Sequence, residues 1–165
     1  MPEPVNLFIS YSHKDEPLMA ELFEFLQPLT ISGKIATWND RAIPVGEVWD
    51  DQIRQALEKA EMILLLISPS FLASSYINGV EISRSLQLRR EKKTRIIPIM
   101  LRPCDLQSHI VPGEKYTIAD FQGLPKDMRP VTSWGSHEEA WLNVATGLKP
   151  VIEHILLEKT KPKIT

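Results

Sequence analysis

An unbroken run of six apolar residues, Met62–Ile67, constrains the fold more than any other stretch of the chain. The run is too short to cross a membrane, and Ser68-Pro69 ends it. A strand with one face in water alternates polar and apolar residues, so a run that is apolar throughout is typical of a parallel sheet covered on both faces. We therefore predict that Met62–Ile67 is the central strand of such a sheet.

The segment after this strand carries the first candidate for chemistry. Ligands of open α/β sheets bind outside the carboxyl ends of the strands. The helical pattern from about Ile77 to Glu91 places Glu81 in its first turn or two. A solvated helix residue would be the ordinary interpretation of one glutamate, but this position makes Glu81 the first residue to consider for function.

Strands and helices alternate along the rest of the chain. Further strands are predicted at Val5–Ser10, Lys34–Trp38, Arg95–Leu101 and, briefly, Pro130–Thr132. Further helices are predicted from an Asp15 cap to before Ser32, over Trp49–Ala60, and from a Ser136/Glu139 capping box through Ile155. Pro98 removes a ladder donor and favours either an edge position or a bulge for the fourth strand, so its place in the sheet stays open. Arg102–Arg129 is predicted to be loops and short turns.

This alternation predicts an α/β fold, a flavodoxin-like doubly wound parallel sheet of about five strands with helices on both faces. In the strand order 2-1-3-4-5, the connections diverge between strands 1 and 3. The segments Ser10–Asp15 and Ser68–Glu81 would then form the two walls of one crevice.

Composition limits the classes of partner. The 165 residues are 43% hydrophobic and 24% charged, which suits one globular domain. A formal net charge of −2 gives no excess of cations for nucleic acid or an anionic membrane, so neither is expected as a partner. The single cysteine, Cys104, excludes an internal disulfide framework. We see no signal segment or membrane span and expect a cytoplasmic protein.

The crevice lacks the motifs of several common chemistries. Neither a P-loop nor a Gly-x-Gly-x-x-Gly sequence follows any strand, the strand ends lack the acidic cluster of a phospho-acceptor domain, and the four histidines show no metal-ligand spacing.

What remains is Glu81 beside side chains that could form a pocket. The expected aromatic walls are Tyr11, Trp38, Trp49 and Tyr76, and the expected polar lining is Ser12, Asp40 and Arg41. A carboxylate beside aromatic faces suits cleavage of an N-glycosidic bond, because aromatics stack a base and the carboxylate either stabilises an oxocarbenium-like ribose or attacks it.

A set of motifs spread over nearly the whole chain resembles one family. The motifs are Phe8-Ile9-Ser10-Tyr11-Ser12-His13-Lys14-Asp15, Trp38-Asn39-Asp40, Gly46, Trp49, Leu65-Leu66-Ile67-Ser68-Pro69-Ser70-Phe71-Leu72, Ser75-Tyr76, Glu81 and Ile97-Pro98-Ile99. Together they resemble the bacterial Toll/interleukin-1 receptor (TIR) domains from about Val5 to Leu156. Where some members carry a tryptophan shortly before the glutamate, this chain has Tyr76 and Ile77, and Trp49 is the aromatic that would compensate.

The resemblance implies cleavage of NAD+ at the nicotinamide–ribose bond, giving nicotinamide and either ADP-ribose or a cyclic ADP-ribose isomer. The implied setting is bacterial immune or virulence signalling, with activation by self-assembly. It assigns catalysis to Glu81, adds Ser10, Gly46 and Ser75 to the substrate-binding residues, and makes Asn39–Glu47 a mobile loop over the site. NAD+ is then a substrate, with no separate cofactor or metal. The implied partners are other TIR domains and a sensor domain or protein. The expected TIR domain spans residues 1–158, and 159–165 is a polar, frayed tail, hypothesised to be a linker to a further domain.

Two other functions fit the same sequence. The fold is widely used for contacts between TIR domains, so a non-enzymatic interaction or adaptor module is the first alternative. A nucleoside deoxyribosyltransferase-like enzyme, which shares the topology and a single glutamate, is the second. NAD+ cleavage and release of free base from deoxynucleosides would separate these functions.

Overall fold

A computed structural model describes residues 3–39, 46, 49–74 and 77–161 of the chain. Its sheet has four parallel strands in the order β2-β1-β3-β4. They are β1 Val5–Ser10, β2 Ile35–Trp38, β3 Met62–Ile67 and β4 Arg95–Met100. The central strand β3 pairs with β1 on one side and β4 on the other, and all six of its residues are buried. The prediction drawn from the apolar run is confirmed.

The helices of the described residues cover both faces of this sheet. They are α1 Glu16–Ile31, α2 Trp49–Lys59, α3 Pro69–Ala73, α4 Ser83–Lys92 and α5 His137–Thr160. The side chains of α1 and α5 share one core with Leu7 and Ile9 of β1, whereas α2 and α4 share the other with Phe8. The alternation along β1 therefore separates two apolar cores, as a doubly wound sheet requires.

Strand β4 lies at the edge of the sheet, which is one of the two arrangements that Pro98 favours. Part of its outer side is covered by Leu124, whose N–H donates to the Pro98 carbonyl at 2.9 Å while its carbonyl accepts from the Met100 N–H at 2.9 Å. The proline therefore sits where its missing N–H costs no ladder bond.

The predicted fifth strand is wrong. Val131–Ser133 forms a single 3-10 turn after Pro130. The Val131 side chain is fully buried in the core beside α5, and the Thr132 N–H donates to the Leu101 carbonyl at 3.1 Å. Leu124 occupies the edge of β4 that a fifth strand would have used.

The prediction of a frayed tail is also wrong for its first two residues. Helix α5 continues to Thr160, and Lys159 Nζ lies 2.7 Å from Glu61 Oε1 and 3.0 Å from the Pro4 carbonyl oxygen. These contacts tie the end of α5 to the strand layer. Residues 162–165 lie outside the described residues. No helix of the described segments combines the length and apolar character needed to cross a bilayer.

Candidate functional site

Glu81 lies on an irregular turn of helix. Ile77–Ile82 is π-helical and leads directly into α4, whereas the sequence predicted one continuous regular helix. The Ser83 hydroxyl donates to the carbonyl of Asn78, five residues earlier, at 3.1 Å. Single π turns are rare and occur frequently at functional sites, because they re-aim the side chains they carry.

The turn holds the Glu81 carboxyl group in a largely enclosed position. Only 7% of the residue is exposed, while Ile77 and Ile82 on the same turn are buried in the core shared with α2. The Ser85 hydroxyl donates to the Glu81 carbonyl oxygen. Acidic side chains are rarely buried in protein interiors, so the burial of Glu81 at this position is a feature to explain.

The side chain of Asn78 connects this turn to two other segments by hydrogen bonds. Its amide Nδ2 donates to the carbonyl oxygens of Leu72, at 2.7 Å, and Ser74, at 2.8 Å. Its Oδ1 lies 2.6 Å from Nε2 of His109. The turn is thereby joined to the end of α3 and to the loop that follows β4.

The Asn78 contacts also define the state of His109. Because the amide nitrogen of Asn78 already faces two carbonyls, its oxygen faces the histidine, and Nε2 is therefore the protonated ring nitrogen. The other nitrogen, Nδ1, is buried without a hydrogen-bond partner among the described residues. Burial lowers the pKa of His109, in keeping with a neutral imidazole at pH 7.

Two other candidate residues lie on the same face of the sheet as α4. Ser10 ends β1 two residues after Phe8, and Trp38 of β2 pairs in register with Phe8. The Phe8 and Trp38 rings stack with centroids 5.1 Å apart. Ser10 is fully buried, and its hydroxyl finds no hydrogen-bond partner among the described residues. Ser10, Trp38 and Glu81 therefore share one side of the carboxyl end of the sheet.

Tyr11 and Ser12 do not join this group. The Tyr11 side chain belongs to the core on the opposite face, beside α1, and its hydroxyl donates to Glu16 Oε2 at 2.9 Å. Ser12 caps the 3-10 turn His13–Asp15, accepting from the Lys14 N–H at 3.4 Å. Alternation along the chain past Ser10 carries Tyr11 away from Glu81.

The remaining predicted residues lie at or beyond the limits of the description. Asp40, Arg41, Ser75 and Tyr76 fall outside the described residues, and so does the side chain of Trp49, although its backbone begins α2. Most of the predicted loop Asn39–Glu47 lies outside them as well. Gly46 is described as an exposed turn residue with φ of +93°, a conformation that favours glycine.

A buried ion pair at this end of the sheet was not predicted. Asp15 was expected to cap α1, but its carboxylate makes no cap bond. It accepts instead from the Ser68 hydroxyl and from Arg102 Nε, the latter at 2.8 Å. Arg102 Nη2 also donates to the Ser70 hydroxyl at 3.0 Å. This Asp15 network joins the segments that follow β1, β3 and β4.

Comparison with known proteins identifies the family. The family model described as the TIR domain matches residues 7–131, which is most of the chain. The chain belongs to the TIR domain family. The match covers β1 from Leu7 onward, all of β2, β3 and β4, and both segments that meet at the candidate site.

Two relatives extend this assignment. The TIR domain is 34% identical over 157 residues to the uncharacterized protein y4lF of Sinorhizobium fredii, covering 95% of this chain and 46% of that protein. It thus spans about half the length of this relative. The crystal structure of the TIR domain of the Toll-related receptor TRR-2 from Hydra magnipapillata superimposes with a TM-score of 0.56 and 21% identity. That match covers 90% of this chain and 98% of the Hydra chain, and it supports the fold.

Sequence reasoning about this TIR domain missed Arg102, Asn78 and His109. Arg102 and Asp15 are 87 residues apart, and His109 and Asn78 are 31 apart, so no local pattern pairs them. The predicted strand order could have pointed to Arg102, because it places the residue after β4 beside the end of β3. Among the described residues, no group of three or more histidine, cysteine or acidic side chains could hold a metal ion.

Proposed function

We propose that this TIR domain cleaves NAD+ at the bond between nicotinamide and ribose. The observation that carries the proposal is the buried Glu81 on a π-helical turn, at the carboxyl end of the sheet and on the same face as Ser10 and Trp38. The resemblance of the motifs to NAD-cleaving TIR domains supports the same reaction.

The reaction asks little of general acid catalysis. The bond between ribose C1′ and the pyridinium nitrogen breaks, its electron pair passes to that nitrogen, and nicotinamide leaves as a neutral molecule. One carboxylate then suffices to stabilise the oxocarbenium-like ribose, unlike the two carboxyl groups of ordinary glycosidases. Capture of C1′ by water yields ADP-ribose and a proton, whereas capture by a group of the same molecule yields a cyclic isomer.

The roles of the other residues follow from their positions. The Ser10 hydroxyl, buried and without a described partner, is available to a substrate hydroxyl or phosphate oxygen. The Trp38 ring, already stacked on Phe8, would form an apolar wall. Asp40, Arg41, Gly46, Trp49, Ser75 and Tyr76 remain proposed substrate contacts from the resemblance.

Self-association is the proposed route to activation. TIR domains interact with other TIR domains. A site completed by a neighbouring domain would be inactive when dilute, which suits a signalling enzyme controlled by a sensor domain or sensor protein. The proposed setting is immune or virulence signalling in the cytoplasm.

The test is a product analysis at high protein concentration, with a crowding agent to favour assembly. NAD+ and, separately, 2′-deoxyadenosine are incubated with the protein, and the products are separated by chromatography. Nicotinamide release from NAD+ supports the proposal, and the partner product distinguishes hydrolysis from cyclisation. Free adenine from deoxyadenosine, with NAD+ intact, would indicate the deoxyribosyltransferase reaction. Assembled protein that acts on neither would be the interaction module.

A further inference from the structure

A second cavity lies at the opposite end of the sheet from Glu81. It has a volume of about 750 Å³ and lies between the last turn of α4, the start of β4 and the middle of α5. Its lining consists of Arg89, Arg90, Lys93, Thr94, Arg95, Ile96, Ile97, Phe121, Pro150, Val151 and His154. Because β4 begins at Arg95, this cavity faces the amino ends of the strands, away from the site proposed for NAD+.

The lining is basic, and its charge is only partly compensated. Among the described residues, four lysine or arginine side chains and one histidine line the cavity, and no aspartate or glutamate does so. Glu114 forms an ion pair with Arg90. Glu158 lies 3.7 Å from Arg95 Nη2 and 3.0 Å from His154 Nε2. Two carboxylates therefore offset two of the four cations.

The two other cations, Arg89 and Lys93, pair with no carboxylate among the described residues. Basic residues at the last turn of a helix are stabilised by the helix dipole. That dipole amounts to about half an elementary charge at the helix end, whereas Arg89 and Lys93 carry two full charges. The positive potential of the cavity is therefore not accounted for by helix termination alone.

Backbone and ring contacts preorganise these cations. Lys93 adopts a left-handed conformation, with φ of 58°, that ends α4 and turns the chain directly into β4. The Arg89 guanidinium carbon lies 5.0 Å from the Phe121 ring centroid and 5.5 Å from that of Tyr116. A guanidinium held against aromatic rings keeps in-plane N–H groups that can bind phosphate oxygens in pairs.

The rest of the lining is apolar. Ile96, Ile97 and Val151 contribute aliphatic side chains beside the Phe121 ring. A site for a bare inorganic anion would need only the cations. An apolar surface next to them suits a molecule that joins a charged phosphate to an uncharged organic part, and the volume matches that of small-molecule sites.

We propose that this cavity binds a phosphate-bearing organic molecule of nucleotide size. Arg89 and Lys93 contact the phosphate oxygens, and the organic part lies against Ile96, Ile97 and Val151. The proposal is independent of NAD+ cleavage, because it concerns other residues at the other end of the sheet.

The test follows backbone amide signals of the 15N-labelled protein by NMR during titration with three probes. The probes are adenosine 5′-diphosphate, inorganic pyrophosphate and adenosine. We expect adenosine 5′-diphosphate to shift the amide signals of residues 89–97 and of residues near Val151. Its affinity should exceed that of pyrophosphate at least about fivefold, and adenosine should show no saturable binding. Binding of adenosine 5′-diphosphate should weaken as sodium chloride rises from about 50 to about 500 mM. Equal affinity for pyrophosphate and adenosine 5′-diphosphate would overturn the proposal that the cavity binds the organic part of the ligand.

A charge-matched pair of variants checks the assignment. Arg89→Gln/Lys93→Gln removes the two uncompensated cations, whereas Lys14→Gln/Arg54→Gln removes two exposed cations elsewhere. We expect the first to weaken diphosphate binding at least tenfold and the second to change it less than twofold. Equal losses would show nonspecific charge attraction and overturn the site. In the wild type, amide shifts confined to residues near Glu81, or no shifts at all on addition of adenosine 5′-diphosphate, would also overturn the proposed site. These outcomes are read from the wild type alone.

Discussion

Two carboxylates are buried at the same end of the sheet, and their surroundings differ. Asp15 is 2% exposed and lies in a regular 3-10 turn, where a hydroxyl and a guanidinium bind its two oxygens. Glu81 is 7% exposed and lies on a π-helical turn that leads directly into α4. Burial alone therefore does not assign a role to either acid.

The difference indicates a division of roles. The Asp15 network links the segments after three strands, which is a structural task, because each link restrains a loop at the mouth of the crevice. The turn of Glu81 is linked instead through Asn78 to α3 and to His109. We expect substitutions of the first acid to change stability and those of the second to change activity.

The largest expected effect on stability is that of Asp15→Ala. The change leaves the Arg102 guanidinium without its buried partner and the Ser68 hydroxyl without its acceptor. Removing one member of a buried pair costs about 3–5 kcal/mol, and because a third of the Arg102 side chain is exposed we expect about 3 kcal/mol. Urea denaturation of both proteins gives the change in the free energy of unfolding.

The matched control is Asp50→Ala. Asp50 pairs with Arg54 at 3.2 Å on the exposed surface of α2, and a pair of this kind contributes about 0.3–0.5 kcal/mol. Losses of the same size for Asp15→Ala and Asp50→Ala would contradict the structural role of the Asp15 network.

The next effect is that of Asn78→Ala. Truncation removes the hydrogen bonds to Leu72, Ser74 and His109, and we expect the free energy of unfolding to fall by about 1–2 kcal/mol. If NAD+ cleavage is the function, its kcat should fall about tenfold, because misplacement of a catalytic group is costly. Steady-state kinetics and urea denaturation measure the two effects. Gln87→Ala on α4 is the control. If Asn78→Ala keeps the wild-type kcat, the turn that carries Glu81 does not contribute to catalysis.

The smallest effect concerns pH and His109. Because burial lowers the pKa of His109 in the folded protein, the unfolded chain binds more protons than the folded one between that lowered pKa and the ordinary histidine pKa of about 6.5. The contribution of His109 to stability is therefore complete above about pH 6.5 and is lost as pH falls toward the lowered value. Denaturation of the wild type and His109→Gln between about pH 5 and 8 should show their difference shrinking in acid. A constant difference would contradict the buried, neutral state of His109.

Much of the fold could be predicted because local sequence encodes it. The apolar run of β3, the spacing of apolar residues in α1 and α5, and Pro98 in the edge strand each determine structure through nearby residues. The incorrectly predicted strand at Pro130–Thr132 shows the limit of prediction from nearby residues. A short β-branched stretch can form a strand only if a sheet edge is open to pair with it. In this protein Leu124, which is distant from β4 in sequence, pairs with that edge.

The site was less accessible to sequence reasoning. The position of Glu81 after the central strand makes it a candidate, but helical periodicity over six residues does not distinguish a π turn from an α turn. Alternation predicts that Ser10 and Tyr11 face opposite sides of the sheet, so including both in one pocket conflicted with the period of a strand. Pairing of Asp15 with Arg102 depends on tertiary structure.

The most direct test of the central claim compares NAD+ cleavage by the wild type and Glu81→Gln at high protein concentration. The variant keeps the size of the side chain and removes its charge, and urea denaturation and sedimentation confirm folding and assembly. We predict that the wild type releases nicotinamide and that the variant is slower by about 100-fold or more, the scale of a catalytic side chain. Equal rates, or an assembled wild type that leaves NAD+ intact, would contradict the account.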